Sequence, residues 1–310
     1  MAEWDPFEDR PDLLGGRYRI AEVLGTGGAG CVYRAVDEQT RHRVALKLVE
    51  APSFNRPLRF LAEARDMARL DHPRVVRVLD LGHDRHWYWF VMELMDSSLK
   101  DRIERDGPQT PADALRLIYE VLQGLHAVHS ASLVHRDIKP HNILMDRRGR
   151  PKLTDFGLAR HAAGDVPWRT RTGESLGSPA YCAPEQAQNP TSAGREADIY
   201  GVGGVLYFTM TGKRPKPFYM MTDEEFDEEL ATVPPSVRAV IRRSMSNPPD
   251  KRFRSAVEMA AGIAKAYDAL PERAGRTPVA KRWIREFDAV EEAPVGLWGR
   301  MRAWFGGSTG

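Results

Sequence analysis

The chain has 310 residues, 42% of them hydrophobic and 28% charged, which suits one large domain or two lobes and excludes a mini-protein or a largely disordered chain. A formal net charge of +2 excludes a strongly basic nucleic-acid binder, and two cysteines, Cys31 and Cys182, exclude a disulfide framework and argue against a zinc cage. The start, Met1-Ala2-Glu3-Trp4-Asp5, carries no secretory signal, and no run of about eighteen apolar residues marks a membrane span, so a cytoplasmic protein in a reducing compartment is expected.

Residues 1–16 are rich in Asp, Glu, Pro and Gly and read as a loose leader. From Tyr18, apolar and polar residues alternate. Tyr18, Ile20, Val23 and Leu24 lead into a glycine cluster, and Cys31-Val32-Tyr33 resumes the pattern, which predicts strand, glycine turn and returning strand. Val44 to Leu48 predicts another strand. The period then turns helical at Phe60, Ala64, Met67 and Leu70, with Pro57 near the first turn. Val75 to Leu79 and Trp87 to Met92 read as strands. Beyond Pro111 helices dominate: Ala114 to His129, Asp198 to Thr211, Val237 to Met245 and Ala256 to Leu270. Strands crowd the first third and helices the rest, so the chain is α+β in two lobes with a boundary near 95–98. The acidic run from Thr222 to Glu229 around Phe226 reads as a solvated helix face, with recruitment of basic substrates as the alternative. In the tail, 272–310, Trp283, Ile284, Phe287 and Val290 have helical spacing, and Leu297, Trp298, Met301, Trp304 and Phe305 repeat it with Arg300 and Arg302 between them. Two short amphipathic helices are expected to dock back on the larger lobe. The alternative is that 283–305 contacts a partner protein or an anionic membrane surface.

The chemistry-bearing segments follow the same order. Gly25-Thr26-Gly27-Gly28-Ala29-Gly30-Cys31-Val32 fits G-x-G-x-x-G-x-V, in which glycines let backbone N–H groups approach phosphate oxygens. A dinucleotide fingerprint needs a helix straight after the glycines, and Cys31-Val32-Tyr33 continues as strand instead. A Walker motif needs Lys-Ser or Lys-Thr after them, and neither is present. Lys47, closing Val44-Ala45-Leu46-Lys47, offers a fixed cation for phosphates, with Glu63 on the following helix as its carboxylate partner. His135-Arg136-Asp137-Ile138-Lys139-Pro140-His141-Asn142 joins an acid, a cation and a carboxamide in one loop. Asp137 suits the orientation and deprotonation of a hydroxyl, Lys139 the neutralisation of a moving phosphoryl group, and Asn142 the ligation of a hard cation. Asp155-Phe156-Gly157 supplies a second metal ligand in Asp155, and Gly157 permits a turn.

These segments run in order from about Tyr18 to about Leu270, and Ala183-Pro184-Glu185, Asp198 and Arg252 complete them. On them the chain resembles the eukaryotic-like protein kinases. Lys139-Pro140 is similar to the serine/threonine branch, and Gly27-Gly28-Ala29-Gly30 with Pro184-Glu185-Gln186-Ala187 resembles bacterial members.

The resemblance implies a bilobal fold: a small β-rich lobe over 17–95 with one regulatory helix, and a larger helical lobe over 96–271. It implies ATP with Mg2+, or Mn2+ in its place. The nucleotide-binding residues would be Leu24, Gly25, Thr26, Gly27, Gly28, Ala29, Gly30, Cys31 and Val32, with Lys47. Val32 and Ala45 would form an adenine roof and Leu144 a floor. Glu93 and Met95 would present hinge backbone groups behind Met92 as gatekeeper. Met67, Val78, His135 and Phe156 would stack as an internal spine. Glu185 would pair with Arg252, Asp198 would brace the catalytic loop, and Arg136 would receive a phosphate from Thr170 or Thr172. Ser178 would take the place of the family's threonine that contacts Asp137 and Lys139. Protein Ser/Thr hydroxyls would be the acceptors, with autophosphorylation as the switch. The alternatives are a pseudokinase scaffold, argued against by the presence of Lys47, Asp137 and Asp155, and a small-molecule phosphotransferase, argued against by Ala183-Pro184-Glu185 and Lys139-Pro140. Both cysteines flank the chemistry, which raises a redox handle against the plainer reading of small buried fillers.

Overall fold

In the computed structural model, residues 9–27, 30–50, 68, 70–83, 86–155, 179–189 and 193–287 are described. Two strands meeting at the glycine turn start the first sheet. β1 (Leu13–Leu14), β2 (Tyr18–Gly27), β3 (Gly30–Asp37), β4 (Arg43–Glu50), β5 (Val78–His83) and β6 (Trp87–Glu93) pair antiparallel in the order β1-β2-β3-β4-β6-β5. The sheet is buried on both faces. One face, with Ala45, Phe90 and Met92, joins the main core; the other, with Cys31, Tyr33, Leu46, Leu48, Trp89 and Val91, forms a second cluster. Alternation along each strand separates the two sets.

Leu14 corrects the loose-leader reading. It pairs with Tyr18, is fully buried and packs into the second cluster, and Arg10 lies over the Tyr33 ring. Burial of one leucine and a short ladder outweighs the polar composition around it. Arg17 reinforces this corner with paired bonds to Asp37 at 2.8 and 2.7 Å and one to Asp80 at 2.9 Å. The strand expected from Val75 begins at Val78. Val75 instead forms an isolated parallel bridge with Leu153.

A smaller sheet of β7 (Ser97–Ser98), β8 (Ile143–Met145) and β9 (Pro151–Leu153) opens the helical lobe. α1 (Leu99–Asp106) starts in a reciprocal capping box between Ser98 and Asp101. α2 (Pro111–Ser130) has Thr110 accepting from the Asp113 N–H and Pro at its first turn, so its start is fixed locally. α3 (Pro184–Gln188) and α4 (Arg195–Thr211) follow. α4 is buried nearly all round and stops at Gly212, whose φ of 68° is left-handed. α5 (Asp223–Glu229), α6 (Pro235–Ser244) and α7 (Ala256–Asp268) complete the lobe. The acidic face of α5 is matched within the lobe: Arg242 bonds Asp223 at 2.5 Å and covers the Phe226 ring, Arg238 faces Asp227 at 3.6 Å, and Lys216 bonds Glu229 at 2.5 Å. Three of the six acidic residues of α5 are paired in this way, and Glu225 accepts the Thr222 N–H at the start of the helix.

The folded lobe does not end at 271. α8 (Ala280–Phe287) is capped by Asp268, which accepts the Val279 N–H at 2.9 Å and the Ala280 N–H at 3.2 Å. Trp283 stacks on Tyr119 with ring centroids 4.3 Å apart and tilts on Tyr267 at 5.0 Å; Phe287 meets Tyr119 edge-on at 5.4 Å. The Tyr119 hydroxyl donates to the Trp283 carbonyl. Trp283 and Phe287 are therefore buried and are not open to a partner or a membrane, which corrects that alternative for this part of the tail. Residues 288–310, with the second expected helix, lie outside the described residues. Trp283→Ala is expected to lower the unfolding free energy of the full chain by about 3 kcal/mol in a denaturant titration. An unchanged midpoint would show that α8 contributes nothing to the lobe.

Candidate active site

The glycine turn is built by register. Gly27 pairs with Gly30, and Gly28 and Ala29 between them lie outside the described residues. At Gly30 φ is +123°, and a Cβ would stand 2.3 Å from the Leu48 carbonyl oxygen, so only glycine fits. Gly25 pairs with Val32 and Thr26 with Cys31; a register shift between Val23 and Gly25 leaves Leu24 at a bulge, exposed. Val32 lies opposite Lys47 and Ala45 opposite Met92, so these four side chains share one face of the sheet. Cys31 lies opposite Leu48 and belongs to the other face, fully buried, with its thiol towards the Gly25 carbonyl at 3.5 Å. Its side chain is thus no part of a nucleotide-facing surface, and the redox reading fails for it on access. Counting by twos from Val32 gives this placement directly.

Lys47 is almost fully buried, with its ammonium 5.6 Å from the centre of the Phe90 ring. It donates to Asp155 Oδ1 at 2.8 Å across 108 residues of chain. Glu63, its expected partner, lies outside the described residues, as do Met67, Phe156, Gly157, Thr170, Thr172 and Ser178. Asp155 holds a left-handed φ of 54°, an uncommon conformation that aspartate tolerates. Burial pushes its carboxyl group up, but the Lys47 ammonium beside it, then Lys139, hold it below the usual carboxylate value. It is an anion at neutral pH.

The loop from His135 to Asn142 is clasped at both ends. Asp198, buried on α4, accepts the His135 N–H at 2.9 Å, the Arg136 N–H at 2.6 Å and a bond from the His129 ring at 2.8 Å. That grip holds Arg136 at a left-handed φ of 65°. Gln186 donates to the Arg136 carbonyl at 2.6 Å. Within the loop, Lys139 donates to Asp137 Oδ2 at 2.7 Å, and the Asn142 amide donates to the same oxygen at 2.9 Å and to the Asp137 carbonyl at 2.8 Å. The Thr154 N–H donates to the Asn142 carbonyl at 3.0 Å, tying this loop to the residue before Asp155. His135 is buried, and burial lowers its pKa, so its ring is neutral. Lys47 is thereby joined to Asp155, the adjoining Thr154 backbone to Asn142, and Asn142 and Lys139 to Asp137. The residue expected to carry phosphates, those expected to hold metal and the expected base are thus tied together by short hydrogen bonds and one peptide link.

The protein-kinase-domain family model matches residues 18–265. The chain belongs to the protein kinase family. Among similar curated proteins, the serine/threonine-protein kinase PrkC of Bacillus subtilis is 35% identical over 280 aligned residues, covering 83% of this chain and 41% of that protein. The serine/threonine-protein kinase PknB of Mycobacterium tuberculosis is 33% identical over 287, covering 85% and 45%. The chain thus spans less than half the length of these relatives. A crystal structure of Rad53 1–466 in complex with AMP-PNP superposes with a TM-score of 0.63 at 26% identity, covering 79% of this chain and 64% of that one.

Arg252, with its side chain fully buried, forms paired bonds to Glu185 at 2.7 and 2.8 Å, so the start of α3 is fastened to the segment before α7. Val78 is buried in the core that joins the lobes. Leu144, on β8, is partly buried against the same core. Asp96 N–H bonds the Met145 carbonyl at 2.9 Å just after Met95, so the lobe connection is pinned to the small sheet. The bonds of His129 to Asp198 and of Gln186 to the Arg136 carbonyl are not among the sequence-based expectations. The available signal was a polar residue amid buried positions: His129 sits beside Val128 and Ala127 on α2, and Gln186 is the buried residue of α3. No helix among the described residues is long and apolar enough to cross a membrane.

Proposed function

We propose that this chain is a serine/threonine protein kinase that transfers the γ-phosphoryl group of ATP to protein hydroxyls. The observation that carries the reading is the linkage of Lys47 to Asp155, of the neighbouring Thr154 backbone to Asn142, and of the Asn142 amide to Asp137. The names of the bacterial relatives and the AMP-PNP in the Rad53 complex support it. Gly25, Thr26, Gly27, Gly30 and Val32 would lie over the phosphates, Ala45 and Leu144 would enclose adenine, and Glu93 and Met95 would meet its edge. Lys47 places the phosphates.

The oxygens of Asn142 and Asp155 suit a hard divalent ion, Mg2+ or Mn2+. Among the described residues no group of three or more His, Cys, Asp or Glu could hold a metal. When bound it neutralises charge on the triphosphate. Asp137 orients the acceptor hydroxyl and takes its proton as the new O–P bond forms and the bond to the ADP oxygen breaks. Lys139, already against Asp137, balances charge on the group in flight.

Thr170 and Thr172 are the proposed autophosphorylation sites, their phosphates pairing with Arg136. Incubating the full chain with Mg2+ and ATP and mapping phosphate by mass spectrometry tests the proposal. Phosphoserine or phosphothreonine on this chain or on an added protein is expected, and replacing both threonines by alanine is expected to lower the rate. Transfer to an aminoglycoside but never to protein would contradict it.

A further inference from the structure

β9 carries one charged side chain, Lys152, three residues before Asp155. Lys152 Nζ donates to Glu93 Oε1 at 2.6 Å. Glu93 is the last residue of β6 and opens the connection between the lobes. The same Oε1 accepts the Arg77 N–H at 2.8 Å, and the Glu93 N–H returns a bond to the Arg77 carbonyl at 3.1 Å. The segment carrying Arg77 is itself stitched to β9: Leu153 N–H donates to the Arg74 carbonyl at 2.9 Å, and Val76 N–H to the Leu153 carbonyl at 2.8 Å. A closed ring results, running from Lys152 to Glu93, to Arg77, along the chain to Val76, and back to Leu153. Lys152 is also the cross-strand partner of Leu144, so both side chains stand on one face of the small sheet. The floor proposed for adenine and the clamp on the proposed hinge therefore share one surface. Both charges are mostly shielded, with side-chain exposures of 16% for Lys152 and 26% for Glu93, which limits screening by salt.

We infer that Lys152 is a positioning residue for adenine: by holding the Glu93 carboxylate it fixes the hinge backbone relative to Leu144 and sets the width of the slot between them. It acts through Glu93. The inference rests on the nucleotide site proposed above. A pair that only stabilised the lobe junction would shift the melting temperature and treat all nucleotide fragments alike. A positioning role discriminates between them, because the adenine end depends on the hinge and the phosphate end on Lys47.

Calorimetric titration of the full chain with ATP, adenosine and inorganic triphosphate tests this. Lys152→Met is expected to weaken ATP and adenosine each about fivefold, the value of one shielded ion pair, while triphosphate binding stays put. Lys152→Arg, which keeps a cation within reach of Glu93, is expected to recover most of the loss. Glu93→Gln, which keeps an acceptor for the Arg77 N–H, is expected to weaken adenosine likewise and carries the comparison if Lys152→Met does not fold. Unchanged adenosine binding in the folded variants, or equal loss for adenosine and triphosphate, would overturn the inference. Wild-type chain that binds neither ATP nor adenosine would overturn the site reading and this inference with it. The wild-type titration separates that failure from the others.

Discussion

Asp137→Asn is expected to lower the rate of phosphoryl transfer about a thousandfold, within the range supplied by a positioned general base. The Asp137 carboxylate is the shared acceptor of the Lys139 ammonium and the Asn142 amide, so the variant removes a proton acceptor and a charge partner together. In the proposed site ATP is held by Lys47 and by the sheet face bearing Val32 and Ala45, which the substitution leaves alone. Steady-state kinetics beside a nucleotide titration check the split: kcat falls steeply and nucleotide affinity holds. An Asp137→Asn chain that turns over like wild type would remove Asp137 from the chemistry.

Arg252→Met is expected to cost about 4 kcal/mol of stability, because breaking a buried ion pair leaves its partner uncompensated. The guanidinium donates to both Glu185 oxygens, to the Ser246 carbonyl at 2.8 Å and to the Glu196 carbonyl at 2.9 Å, and it lies 5.0 Å from the Tyr200 ring centre. Methionine fills similar volume and satisfies none of these acceptors. Denaturant unfolding of the full chain measures the loss. The double variant with Glu185→Gln is expected to lose less than the sum of the two single variants, since both act on one contact. A near-wild-type midpoint for Arg252→Met would show that the pair is ornamental.

The fold was legible where the signal is local. Thr110-Pro111 fixes the start of α2, and the alternation from Tyr18 and the glycines that follow give the first hairpin. α1 was missed because Leu99 and Ile103 are its only buried residues and the rest is charged; its capping box, Ser98 with Asp101, was the readable clue. Val75 is not legible because its partner, Leu153, lies far along the chain, whereas Leu14 pairs with Tyr18 across a local turn that Gly15-Gly16, both at left-handed φ, signals in the sequence.

The same divide runs through the site. The types and order of its residues were legible because phosphate, metal and proton chemistry each demand a particular side chain. Their pairing was not. The Lys47–Asp155 contact spans 108 residues and the Lys152–Glu93 contact 59, and no local pattern encodes either. Cys31 lies within the glycine motif, but the pleat of β3 turns its side chain away from the face of Val32 and Lys47.

A crystal structure of the full chain with Mg2+ and a non-hydrolysable ATP analogue tests convergence on one triphosphate most directly. The account predicts phosphate oxygens beside the Lys47 ammonium, the metal on Asn142 and Asp155, and adenine between Ala45 and Leu144. A nucleotide bound elsewhere, with Lys47 and Asp155 still closed on each other, would contradict it.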